Sequence, residues 1–153
     1  MTREEAYYER IKILLGDIDS YEEWLNFFIE QEQPLSDVVL ELLDCRDVNE
    51  ILRVLNLYCL QKPFDEDSVY TRLRSELCSF YEKEQLTTDQ VMSMLFCITK
   101  IIPDCIFRNC CLTLSDYYCL VDERVADPDR FDAVLGKWLK DGGGIIRMKH
   151  ILS

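Results

Sequence analysis

Helix-start signals recur along this chain at intervals so short that little but helix fits between them. Thr2 stands three residues before Glu5, and the pair has the form of a capping box. In such a box the threonine oxygen accepts a free N–H of the first turn, while the glutamate reaches back to the threonine backbone. Ser20 with Glu23, Asp47 with Glu50 and Thr87 with Gln90 repeat that form. Ser36 or Asp37 predicts a helix running through Leu43. The acids Asp65, Glu66 and Asp67 favour the positive end of another, reaching to about Glu84. Asp127 before Pro128 is an N-cap followed by proline at the first helical position. Ser115 is an internal cap candidate, so residues 104–124 read as two short helices or one kinked helix. The stops are as regular: Gly16, Pro34, Lys62-Pro63, Pro103 and the run Gly142-Gly143-Gly144.

Between these marks the apolar residues keep helical spacing. Tyr7, Ile11, Leu14 and Leu15 form one stripe, and Tyr21, Trp24, Leu25 and Phe28 another. Further stripes are Ile51, Leu52, Leu55 and Tyr58; Val69, Leu73, Leu77 and Phe80; and Val91, Met94, Leu95 and Ile98. Glu4, Glu5 and Glu9 are expected on the surface of the first helix, and Glu22, Glu23, Asn26 and Glu30 on that of the second. Only five glycines and four prolines occur, which disfavours a turn-rich β fold. The expectation is an all-α fold: a single domain over residues 1–141 of about seven or eight short antiparallel helices, forming an irregular helical bundle or an α-solenoid-like stack. Residues 142–153 are expected to be a Gly-rich stop and a short apolar-basic tail. No self-similar period of 34 or 40 residues is found, so a standard repeat family is not expected.

Charge is the feature that bears on partners. The chain carries a formal −12, and residues 1–50 hold fourteen acidic against four basic side chains, or −10. A field polarised in this way speaks to association rather than to fold, and it favours a cationic partner. Direct nucleic-acid binding is not expected, because the only net basic stretch is Lys137, Lys140, Arg147 and Lys149 against Asp141. No run of apolar residues is long enough for a membrane span. The opening MTREEAYYER has the character of neither a signal nor a transit peptide, so a cytoplasmic location is expected. The eight cysteines fit that compartment: Cys45, Cys59, Cys78, Cys97 and Cys119 lie within apolar helical patterns, where free cysteine acts as a small hydrophobe. Cys105, Cys110 and Cys111 cluster without zinc-finger spacing, and the Cys110-Cys111 pair is the candidate reactive thiol.

Catalytic chemistry finds little to use. The sole histidine, His150, lies in the tail and reads as a surface residue, which leaves no supported Ser-His-Asp or Cys-His arrangement. No phosphate-cradling glycine loop is present. The D-x-D triplets at Asp17, Asp65 and Asp127 do not continue into a calcium loop. No cofactor, metal site or catalytic residue is therefore expected. The one enzymatic alternative is a metal-dependent hydrolase built on Asp116 with Asp122 or Glu123.

The functional expectation is a small acidic protein-binding module. Its concrete form is an immunity protein that neutralises a cationic, nuclease-like bacterial toxin, since a nuclease must be basic to hold phosphates and a carboxylate-rich inhibitor meets it by steered association. The candidate partner-binding residues are Glu22, Glu23, Glu30, Glu32, Asp37, Glu41, Asp44 and Asp47, with Tyr8 and Phe27 as apolar anchors. Alternatives are an adaptor whose helical groove binds a peptide or partner helix, a mimic of nucleic acid, and acidity that serves solubility alone.

Overall fold

The structure is a computed structural model and describes residues 1–143. The tail expected after the glycine run, with His150, lies outside the described residues. The described residues form eight α-helices and no strand, in agreement with the all-α expectation. They are α1 (Arg3–Leu14), α2 (Tyr21–Gln31), α3 (Asp37–Leu43), α4 (Val48–Leu60), α5 (Glu66–Glu82), α6 (Thr88–Ile101), α7 (Ile106–Asp122) and α8 (Pro128–Asp141). Close contacts gather into two units, Met1–Val69 and Tyr70 onward, with the division falling inside α5.

The caps explain most of the boundaries. Thr2 and Thr87 each complete a capping box with Glu5 and Gln90. Asp47 accepts the Glu50 N–H at 3.0 Å, while Glu50 reaches one residue further back, to the Arg46 N–H at 2.7 Å. Asp127 caps α8, and Gly142 closes it at φ +72°, a left-handed conformation that a Cβ strains. Ser20 makes no capping bond, contrary to expectation. Its hydroxyl lies 2.9 Å from Lys12 Nζ and donates to Asp17 Oδ1 at 3.1 Å, so the link before α2 is tied to α1 instead. Residues 106–122 form one helix, because Ser115 returns its hydroxyl to the Cys111 carbonyl at 2.9 Å rather than opening a new turn.

A 40-residue register corrects the expectation that no period of that length exists. The caps Asp47, Thr87 and Asp127 are 40 residues apart, and each opens a helix of 13 or 14 residues. Within those helices the fully buried leucines Leu55, Leu95 and Leu135 keep the same spacing, and Ile51, Val91 and Phe131 are buried one turn earlier. The 17-residue helices α5 and α7 precede α6 and α8 in matching register. Even the links correspond: Glu84 and Arg124 both take positive φ, and the amides that follow them return to the carbonyls of Phe80 and Leu120. The register is carried by caps and burial rather than by residue identity.

In the first unit α1 packs on α4, α3 on α4 and α2 on α3. Helix α1 is not the simply amphipathic helix its apolar stripe predicts. Ala6, Tyr7, Tyr8, Glu9, Ile11 and Ile13 are all buried, whereas Leu14 is exposed. Glu9, expected on the surface, is fully buried, with Lys12 Nζ 3.6 Å from Oε2. In the second unit α6 packs on α7 and α7 on α8. Its core stacks the rings of Tyr70 and Phe107 at 5.2 Å and leans Phe107 against Trp138 at 5.5 Å.

Candidate functional site

The excess negative charge of this chain belongs almost entirely to one unit. Residues 1–69 carry six basic and seventeen acidic side chains, a formal −11, while residues 70–153 carry eleven and twelve, a formal −1. The 40-residue register shows where those acids sit. The segment that precedes α4 corresponds to the long helices α5 and α7, but Pro34 divides it into α2 and α3. Six of the eight expected acidic residues, Glu22, Glu23, Glu30, Glu32, Asp37 and Glu41, lie on or between these two short helices. Asp44 is the C-cap of α3 and Asp47 the N-cap of α4.

Helix geometry groups them. Tyr21, Leu25 and Phe28 turn α2 inward, which leaves Glu23, Phe27 and Glu30 as an outward stripe at i, i+4 and i+7. Phe27 is 55% exposed and braced edge-on by Phe28, with ring centroids 5.3 Å apart. On α3 the inward residues are Val38, Val39 and Leu42, and the outward stripe is Asp37, Leu40, Glu41 and Asp44. Leu40 is 47% exposed. Two helices that touch each other thus present the same pattern, an exposed apolar side chain framed by carboxylates.

These carboxylates are not neutralised from within. Within this unit, ion pairs join Lys12 to Glu9 and Asp17, and the Met1 ammonium to Glu32. None engages Glu22, Glu23, Glu30, Asp37, Glu41, Asp44 or Asp47. Arg3 is held at the end of α4, where it donates to the Tyr58 carbonyl at 3.2 Å and to Gln61 Oε1 at 3.3 Å. Glu32 is different. The Met1 ammonium and the Ser36 hydroxyl, the latter at 2.6 Å, hold its carboxyl below the usual glutamate range, so it belongs to the frame of the unit. Asp47 is exposed but also serves as the α4 cap.

Tyr8 needs correction as an apolar anchor. It is 3% exposed, since α1 is covered on more than one side, and it is part of the core. Phe27 remains on the surface, and Leu40 joins it. Leu40 was missed because in isolation a leucine on a short apolar run reads as core.

Two concavities accompany these stripes. A groove of about 310 Å3 runs between α3 and α4, bordered by Asp37, Val38, Glu41, Val54, Leu57 and Gln61. A cleft of about 540 Å3 lies among the starts of α2 and α4, where Asp19, Glu22 and Asp47 meet Arg46 and Tyr21. Burial, with smaller effects from Cys45 and Glu9, raises the Tyr21 hydroxyl above the usual tyrosine range. That phenol therefore stays protonated and donates no charge to the cleft.

Elsewhere, a continuous α7 sets Asp116 and Glu123 on one side of a helix but about 10 Å apart along its axis, and turns Asp122 away from Asp116. No group of three or more His, Cys, Asp or Glu among the described residues is placed to hold a metal ion. Burial raises the Cys111 thiol above the usual cysteine range, and the core encloses it. No helix among the described residues is long and apolar enough to cross a membrane. No family model, curated protein or solved structure matches the chain.

Proposed function

We propose that this chain is a small acidic cytoplasmic protein-binding module that docks a basic protein partner on the α2–α3 side of its first unit. In its concrete form it is an immunity protein covering the active site of a cationic, nuclease-like toxin domain. The observation that carries the reading is the pair of outward stripes on α2 and α3, whose five carboxylates, Glu23, Glu30, Asp37, Glu41 and Asp44, make no ion pair and frame Phe27 and Leu40. Unpaired exposed carboxylates produce a long-range field that steers a basic partner, and the apolar residues at their centre supply contact once it arrives. No catalytic step is assigned to the module itself.

The test uses the intact chain to capture its partner and then measures association across a salt series. Glu23→Lys with Glu30→Lys is expected to slow association by about tenfold at low ionic strength, with the difference shrinking as salt rises. In the immunity form the captured partner is a nuclease that the wild-type chain inhibits. An association rate that ignores both salt and the double reversal overturns the docking reading.

A further inference from the structure

The 40-residue register permits a comparison of equivalent surface positions on α4, α6 and α8. On α6 they are Cys97 and Lys100, and on α8 they are Lys137 and Lys140, all exposed. On α4 the same two positions are Leu57 and Leu60, 49% and 73% exposed. Solvent-facing lysine is the ordinary solution at such places, and two leucines there expose apolar surface at a free-energy cost unless something covers it. Leu57 forms one wall of the α3–α4 groove, with Val38 and Val54 beside it. The opposite wall carries Asp37 and Glu41, one turn apart on α3, and no basic side chain borders the groove. Arg3 lies near its Tyr58 end, but that guanidinium is occupied by the Tyr58 carbonyl and Gln61 and leaves the two carboxylates without a cation.

A groove with an apolar wall facing a doubly acidic wall suits one kind of side chain. An arginine has a methylene stem that lies along leucine and valine and a planar fork of N–H donors that binds carboxylates in pairs. A lysine offers a similar stem but only a compact, strongly hydrated charge. We propose that the α3–α4 groove is the subsite for an arginine side chain of the cationic partner, with its stem on Leu57 and its guanidinium between Asp37 and Glu41. This inference rests on the docking reading above and assigns it a specific point of entry. It also separates the two helices of the acidic face: α2 steers, and the α3–α4 groove grips.

The intact 15N-labelled chain is titrated with a hexa-arginine and a hexa-lysine peptide at low salt. The expected result is that hexa-arginine binds more tightly, with its largest shift changes at Asp37, Val38, Glu41, Val54 and Leu57. Asp37→Asn with Glu41→Gln should weaken hexa-arginine by about tenfold, and Glu23→Gln with Glu30→Gln by less than about twofold. Leu57→Ser, on a half-exposed position, tests the apolar wall and should also favour the unbound state. Equal losses from the α2 and α3 pairs, or equal affinity for the two peptides, would overturn the arginine subsite while leaving a general acidic docking face standing. Failure of the wild-type chain to bind either peptide at low salt would count against the docking face as well. Unchanged helical circular dichroism in each variant confirms that the fold is intact.

Discussion

Helix α4 in the first unit turns Leu57 and Leu60 to its surface, whereas α6 and α8 in the second turn out Cys97 with Lys100 and Lys137 with Lys140. Inward, the three helices are alike: Leu55, Leu95 and Leu135 are each wholly buried. The same contrast appears in the helices that precede them. Before α6 and α8 stand single helices of 17 residues, and before α4 stand two short ones separated at Pro34. One unit therefore keeps the regular register with nearly balanced charge, and the other interrupts it and carries a formal −11. Core packing constrains the inward positions, since a void there is costly. Outward positions are free of that constraint, so departures from the pattern at the surface are where function is to be sought.

The largest expected effect tests the inward equivalence. Leu55→Ala, Leu95→Ala and Leu135→Ala should each cost about 2–5 kcal/mol in stability, whereas Leu57→Ala should stay within about 0.5 kcal/mol. Urea unfolding midpoints read this directly, and a small loss at any one of the three buried sites breaks the equivalence. Next comes the charge asymmetry. Asp122→Lys with Asp129→Lys in the second unit should alter partner association by less than about twofold, against the much larger effect of reversing Glu23 and Glu30. Comparable slowing from both pairs means that net charge matters and its location does not.

The caps give a smaller and sharper comparison. Asp47→Ala, Thr87→Ala and Asp127→Ala should each lower stability by about 1 kcal/mol, while Ser20→Ala should change it by less than about 0.5 kcal/mol because Ser20 makes no capping bond. Smallest is the pH dependence of the first unit. The Asp65 N–H, 3.0 Å from Glu4 Oε1, holds that carboxyl below the ordinary 4.5, and Glu32 is held below it by Met1 and Ser36. A depressed acid stabilises fully above its ordinary value, so the melting temperature should fall as pH drops below 4.5. Buried Tyr21 and Cys59 act in the opposite sense. Burial pushes Cys59 from 9.0 up to about 11 and raises Tyr21 above 10.0, so their stabilisation is complete below those ordinary values and fades as pH climbs past them. Glu4→Gln should flatten the acid limb and leave the alkaline limb unchanged.

The sequence was most legible where chemistry is local. A threonine three residues before a glutamate or glutamine identified the starts of α1 and α6, Asp127-Pro128 that of α8, and Pro34 the end of α2. It was least legible where a distant segment sets the environment. Glu9 has the form of a surface acid but is buried beside Lys12, because α1 is packed on more than one side. Tyr8 disappears into the same core, and the Ser20 hydroxyl accepts from Lys12 of α1 and donates to Asp17 in the link rather than capping its own helix. Helices α5 and α7 close through Glu84 and Arg124 in left-handed conformation, which no glycine announced.

By itself the sequence determined that this chain is helical, where most helices begin, and that its negative charge lies early, because capping, proline and charge act over a few residues or need only counting. Tertiary structure alone decided which carboxylates stay unpaired, which aromatic residues reach the surface and that α3 and α4 enclose a groove with one acidic and one apolar wall. Those properties depend on which distant helices exclude water from a given side chain, and burial of that kind cannot be read from a residue's immediate neighbours.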